Sequence, residues 1–174
     1  NSGLLFRCER LPDGLAKGYQ ADIDLGARYL GSLHEERGRS TLAGRGVRLS
    51  IAPDGRRWTE KFGEPEDYRS LGRAAPAWNH YRIVASASHL EVWLNGTRVA
   101  VLDDHQSGLA RHAGLLALQL HRGAGPMKIQ FRNLQLTPLG RTELPAVAVQ
   151  PAVAPVAAPA AAAPTNAADI GNYR

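Results

Sequence analysis

Along much of this chain apolar and polar residues alternate, and a period of two is the mark of a strand with one face buried. In GLLALQLHRG, residues 114–123, Leu116, Leu118 and Leu120 fall on one face and Leu115, Ala117, Gln119 and His121 on the other. In HLEVWLN the faces are Leu90, Val92 and Leu94 against His89, Glu91, Trp93 and Asn95. GYQADID sets Tyr19, Ala21 and Ile23 against Gln20, Asp22 and Asp24, and LLFRCER puts Arg7 on one face with Leu5 and Gly3. Further strands are predicted at VRLSIAP, HYRIVASAS, the rest of HLEVWLNGTRVAVLDD, and MKIQFRNLQLTPL. Asn95-Gly96 marks a two-residue hairpin, because its primed turn needs positive φ and these residues tolerate it best. The one helical suggestion, EPEDYRSLGR at 64–73, is a short turn. Several short strands with no helices between them predict an antiparallel all-β sandwich or jelly roll over residues 1–140.

The alternation stops at Gly140. From Arg141 onward the chain is rich in Ala, Pro and Val and almost uncharged. Recurrent prolines forbid a continuous helix or a central strand, and small side chains bury too little area to offset chain entropy. Residues 141–174 are therefore expected to be a disordered, extended linker or tail.

A chain of 174 residues suits one domain with an appendage, and at that size a core holds without a disulfide or a metal. The single cysteine, Cys8, builds neither a disulfide framework nor a zinc site and is expected to pack in a strand. The net charge of +5 raises the question of nucleic acid, but Arg37, Arg39, Arg45, Arg48, Arg56 and Arg57 are diluted by Gly, Ser and Glu rather than gathered into a stripe, so no nucleic-acid partner is expected. No apolar run approaches the roughly 20 residues of a membrane-spanning helix. No leader sequence is legible, and strand-like SGLLFRCER follows Asn1 at once, so the chain is expected to begin inside a domain.

The chemistry of interest lies on the polar faces. Gln119, His121, Gln20, Asp22 and Arg7 together would line a concave sheet face with amide, imidazole, carboxylate and guanidinium groups. Such a lining suits a sugar, whose hydroxyls each donate and accept and need fixed partners. Trp78, Trp93 or Tyr29 would pack on the apolar side of a pyranose ring. A sheet face open to water gives the same alternation with no ligand, so both readings stand. His34-Glu35-Glu36 and His105 with Asp103-Asp104 hold metal-competent side chains but lack a ligand spacing, and no metal or cofactor is expected. GRSTLAGRG lacks the ending of a phosphate loop, and no GxSxG marks a nucleophilic serine.

In their order, NSGLLFR at 1–7, GYQADI at 18–23, GSLHEERGRSTLA at 31–43, PAWNHYRIVA at 76–85, LNGTRV at 94–99 and GLLALQLHRGAGPMKIQFRNLQL at 114–136 resemble the 3-keto-disaccharide hydrolase family. The resemblance implies a concanavalin A-like jelly roll with a concave ligand face, a carbohydrate substrate and a secreted or periplasmic setting. It implies chemistry beside a ketone at C3: a base removes the acidified C2 proton, the C1 bond breaks by elimination, and water adds later. On that reading His121 is the catalytic base or acid, Arg7 stabilises the enolate oxygen and Glu36 supplies a second carboxylate. Gln119, Gln20, Asp22, Trp78 and Trp93 would bind the substrate. Two departures stand out. Family members carry several strands before the NSG block, so a neighbouring domain or chain is expected to supply them. They also often place a histidine where this chain has Val92. Both favour the alternative, a non-catalytic carbohydrate-binding module tethered to another domain.

Overall fold

In the computed structural model the described residues are 1–24, 26, 28–121 and 126–139. The chain divides into two units, Asn1–Thr137 and Pro138–Arg174. The second lies almost wholly outside the described residues, and with it the tail expected at 141–174.

Ten strands build the first unit: β1 Ser2–Arg10, β2 Ala16–Ile23, β3 Leu33–Glu36, β4 Ser40–Ala43, β5 Val47–Ile51, β6 Arg57–Lys61, β7 Tyr81–Ser86, β8 His89–Leu94, β9 Thr97–Asp104 and β10 Leu115–Leu120. They form two five-stranded sheets, β10-β1-β2-β3-β4 (sheet A) and β6-β5-β9-β8-β7 (sheet B). Strands β3 and β4 lie against β9, which makes the pair a sandwich. One turn of 3-10 helix, Arg69–Leu71, is all that comes of the helical suggestion at 64–73. Every pairing is antiparallel except β5 with β9, which run parallel, so the expected all-antiparallel sandwich is mixed in one place.

The core sits where the alternation puts it. Leu90, Val92 and Leu94 of β8 and Val99, Ala100 and Leu102 of β9 are fully buried and meet Leu49, Ile51, Phe6, Tyr19, Ala21 and Leu33. Burying a Val, Leu or Phe side chain is worth roughly 1.5–3 kcal/mol, so this layer supplies most of the cohesion. Val92 pairs with Ile83 and Ala100 inside that layer, and an imidazole there would meet hydrocarbon on every side. Asn95 and Gly96 take positive φ in the predicted two-residue turn.

One charged cluster enters the core. Arg39 donates to Glu35 at 2.6 Å and to both carboxylate oxygens of Asp104 at 3.1 and 2.6 Å, and the Tyr19 hydroxyl also donates to Asp104. Burying these charges is tolerable because each carboxylate meets a guanidinium in hydrogen-bonding geometry.

Two expectations give way. Between β2 and β5, where the alternation predicts no strand, lies a tight hairpin, β3–β4, whose strands have four residues each, with Arg37 in the turn and Ser40 at the start of β4 at positive φ. The strand predicted at MKIQFRNLQLTPL does not form a ladder. Met127, Ile129 and Phe131 alternate as half-buried positions against exposed neighbours, but no described strand takes up their backbone groups, and Asn133 breaks the run at positive φ. Alternation gives an extended conformation; a sheet also needs a neighbour in register.

Candidate functional site

The outer face of sheet A is assembled by cross-strand register. Leu5 pairs with Gln20 and Gln20 with His34; Gly3 pairs with Asp22 on one side and with Gln119 on the other; Gly18 pairs with Glu36. Partners directly across an antiparallel pair share a face, so these side chains converge without any loop having to place them. Gly3 makes room for the arrangement: a Cβ there would stand 2.5 Å from Cγ and Cδ of Gln20, whose amide lies across β1.

The polar groups link in a row. Gln20 Nε2 donates to Asp22 Oδ1 at 2.7 Å and to Gln119 Oε1 at 3.2 Å, and Gln119 Nε2 donates to Glu36 Oε2 at 3.3 Å. Ser32 Oγ donates to Asp22 Oδ2 at 3.1 Å. Two carboxylates are thus joined through two amides across four strands. The side-chain oxygen of Gln20 is buried and has no partner among the described residues.

Asp22 is almost fully buried, and burial raises its carboxyl above the usual range; the hydrogen bonds from Gln20 and Ser32 and the nearby His34 pull downward without cancelling it, and Glu36 adds to the rise. Among the described residues no cation bonds this carboxyl: its side-chain partners are an amide and a hydroxyl. His34, half-buried on β3, places Nδ1 3.4 Å from Thr41 Oγ1.

Above the row runs a groove of about 660 Å³ lined by Leu5, Leu15, Glu36, Ala117, Gln119 and His121, among others. That volume is in the range of small-molecule sites. Asp13 and Arg37, which also line it, form an ion pair at 3.2 Å between the β1–β2 and β3–β4 hairpins. A smaller cavity of about 170 Å³, beside Ile23, Leu30, Gly72 and Tyr81, lies apart from this row, and the Asp24 carboxylate on its wall is occupied by the backbone N–H groups of Gly26 and Tyr29.

Of the residues singled out in the sequence, Gln119, Gln20, Asp22 and Glu36 come together as one hydrogen-bonded row, and His121, exposed just past β10, lines the same groove. Arg7 does not join them. A bulge shifts the register of β1 after Phe6, Arg7 takes φ of 49°, and its guanidinium turns to the carbonyls of Ala87 and Arg111 at 2.6 and 3.0 Å. Trp93 lies on the outer face of sheet B, donating to Glu91 at 2.8 Å beneath the guanidinium of Arg82. Trp78 stands in the loop before β7, its ring 3.9 Å from the Arg132 guanidinium. Neither tryptophan lines the groove.

Ser32, which donates to Asp22, and His34, on the same face of sheet A as Gln20, are neighbours of the row that sequence reasoning did not assign to it. His34-Glu35-Glu36, metal-competent side chains without a ligand spacing, divide between the two faces of β3, with His34 and Glu36 on the outer face and Glu35 inward to Arg39. Asp103 and Asp104 divide likewise, outward to His89 and inward to Arg39. Among the described residues no three His, Cys, Asp or Glu side chains converge to hold a metal ion.

A family model described as a 3-keto-alpha-glucoside-1,2-lyase-like domain matches residues 1–137. The chain therefore belongs to this 3-keto-disaccharide hydrolase family. No curated protein matches it.

Proposed function

We propose that the chain cleaves 3-keto-glycosides in the groove of sheet A, by removing the proton at C2 and expelling the oxygen at C1. Family membership supports the substrate class, and one observation carries the site: the row Asp22–Gln20–Gln119–Glu36 beneath a groove rimmed by His121. In the first step the C2–H bond breaks and its electron pair moves into a C2–C3 enolate. In the second the pair returns to expel the C1 oxygen, which takes up a proton; water then adds at C1. Such a route needs a base, an acid and fixed donors, each of the proton-transfer groups contributing roughly 10²–10⁴-fold.

His121, just past β10 on the groove lining, is the base in this proposal, since a neutral imidazole nitrogen accepts a proton. His34 and Glu36 project from one face of β3, about 6.6 Å apart along the strand. From there they serve the leaving oxygen. Asp22 is too buried to meet a ligand; it fixes the Gln20 amide and is a positioning residue. The test is incubation of the chain with a 3-keto-disaccharide beside His121→Ala. Release of 3-keto-glucose by the parent, cut at least about 100-fold in the variant, is expected. Equal release by both would remove His121 from the reaction.

One observation favours a second reading, binding without turnover: Arg7, the cation that would have steadied the enolate, is held by backbone carbonyls away from the groove. On that reading the same assay gives saturable binding of the sugar and no release.

A further inference from the structure

The groove of sheet A is longer than one sugar ring. Its lining comes from β10 at Gln119 and the adjoining His121, from the β1–β2 turn at Asp13 and Leu15, and from the end of β3 at Glu36 and Arg37. Strand β2 measures their spacing. Leu120, the residue before His121, pairs through Ser2 with Ile23, whereas Glu36 pairs with Gly18. Ile23 and Gly18 stand five residues apart, roughly 17 Å of extended strand. His121 and the turn residues Asp13 and Arg37 therefore stand toward opposite ends of the groove, and between them Glu36 reaches back to Gln119 at 3.3 Å.

The turn end carries the groups of a sugar subsite. Arg37 Nη1 stands 3.2 Å from Asp13 Oδ2, and Asp13 Oδ1 accepts the backbone N–H of Leu15 at 3.0 Å, which fixes the carboxylate on its own turn. The two side chains are 43 and 50 % exposed, so water screens the pair, and the guanidinium keeps unused N–H donors beside a carboxylate with unused lone pairs. Donors and acceptors side by side are what neighbouring hydroxyls require, since each hydroxyl both gives and takes a hydrogen bond. Leu15, on the same lining, offers hydrocarbon to the C–H side of a ring. The backbone adds a second sign. Arg37 holds φ of 55°, a left-handed conformation that glycine takes freely and a long side chain takes at a cost. Turn geometry alone would be better served by glycine, and strain of this kind gathers at binding sites.

On the reading of this groove as a 3-keto-glycoside site, we infer that Asp13, Leu15 and Arg37 form a second subsite that holds the unoxidised sugar of a 3-keto-disaccharide, with the keto sugar at the His121 end. Arg37 is a specificity-determining residue rather than a catalytic one, because it touches the ring that leaves and not the reacting atoms. A 3-keto-glucoside whose aglycone is a methyl group ends before the subsite and gains nothing from it.

The test compares release of 3-keto-glucose from a 3-keto-disaccharide and from methyl 3-keto-glucoside. The parent is expected to prefer the disaccharide. Arg37→Gly suits the left-handed backbone of the turn and is expected to lower the ratio of the two kcat/KM values about tenfold, as the loss of one charged hydrogen bond would, through a higher KM for the disaccharide. If Arg37→Gly fails to fold, Asp13→Asn decides: it keeps the acceptor for Leu15 and is expected to lower the same ratio. Where the sugars are bound without release, the ratio of their Kd values from calorimetry takes the place of the kinetic one. A parent without preference, or an unchanged ratio in the folded variant, would overturn the subsite and leave the assignment of the groove standing. Failure of the parent to bind or cleave either sugar would overturn both.

Discussion

The two outer faces of the sandwich carry similar residue types to opposite effect. On sheet A, the described side chains that bond Asp22 are neutral, so burial wins and its proton affinity rises. On sheet B, burial would likewise raise Asp103 and Glu91, but there it is outweighed. Asp103 accepts from His89 at 2.6 Å beside Arg48 at 3.1 Å, and Glu91 accepts from Trp93 with His89 and Arg98 close by, so both carboxyls sit below their ordinary range. His89 is correspondingly raised, chiefly by its hydrogen bond to Asp103. The difference teaches that an acidic residue among cations is scaffolding, while one held among amides is poised for chemistry or for setting chemistry in place.

The sharpest way to break the contrast is to remove a cation. Arg39→Met would leave Glu35 and Asp104 buried without their guanidinium, and a loss of roughly 3–5 kcal/mol is expected in urea unfolding. Next, Gly3→Val would push Gln20 off its shelf and break the amide row without altering any ionisable group. A fall of about 100-fold in kcat/KM for 3-keto-glucose release is expected, with the circular dichroism spectrum retained.

Asp22→Asn tests the raised carboxyl itself. The folded state holds that proton more tightly than the unfolded one, so the benefit of protonation is complete below the ordinary carboxylate pKa and is lost as pH rises through the raised value. The variant should therefore gain stability over the parent at neutral pH, and denaturant midpoints should converge on acidification. The smallest effect belongs to the other face. His89 is raised and Asp103 lowered, so their pairing stabilises between the unfolded carboxylate pKa and the folded imidazole pKa and fades as pH rises through the latter. His89→Gln should cost up to about 1 kcal/mol near pH 6 and progressively less in alkali, as thermal melts across pH would record.

Much of this was legible because period two is robust. Leu90, Val92 and Leu94 were assigned inward, and Gln119, Gln20 and Asp22 to a common kind of face, from alternation alone. Alternation fixes parity within a strand but not which sheet the strand joins, so Trp93 was placed with the wrong polar face. It also assumes an unbroken pleat, and the bulge at Arg7 reversed that side chain. His34 was hidden because strands of four residues among glycines and arginines leave little pattern to read.

The parallel union of β5 with β9 joins Val47 to Ala100, about fifty residues away along the chain. Closing so long a stretch is entropically slow, whereas the β7–β8–β9 meander needs only two tight turns. Sheet B should accordingly nucleate at that meander, with β5 arriving late. Strand β3, by contrast, pairs with its own sequence neighbours β2 and β4, so the strand bearing His34 and Glu36 should form by local pairing and meet β9 only when that long closure is made.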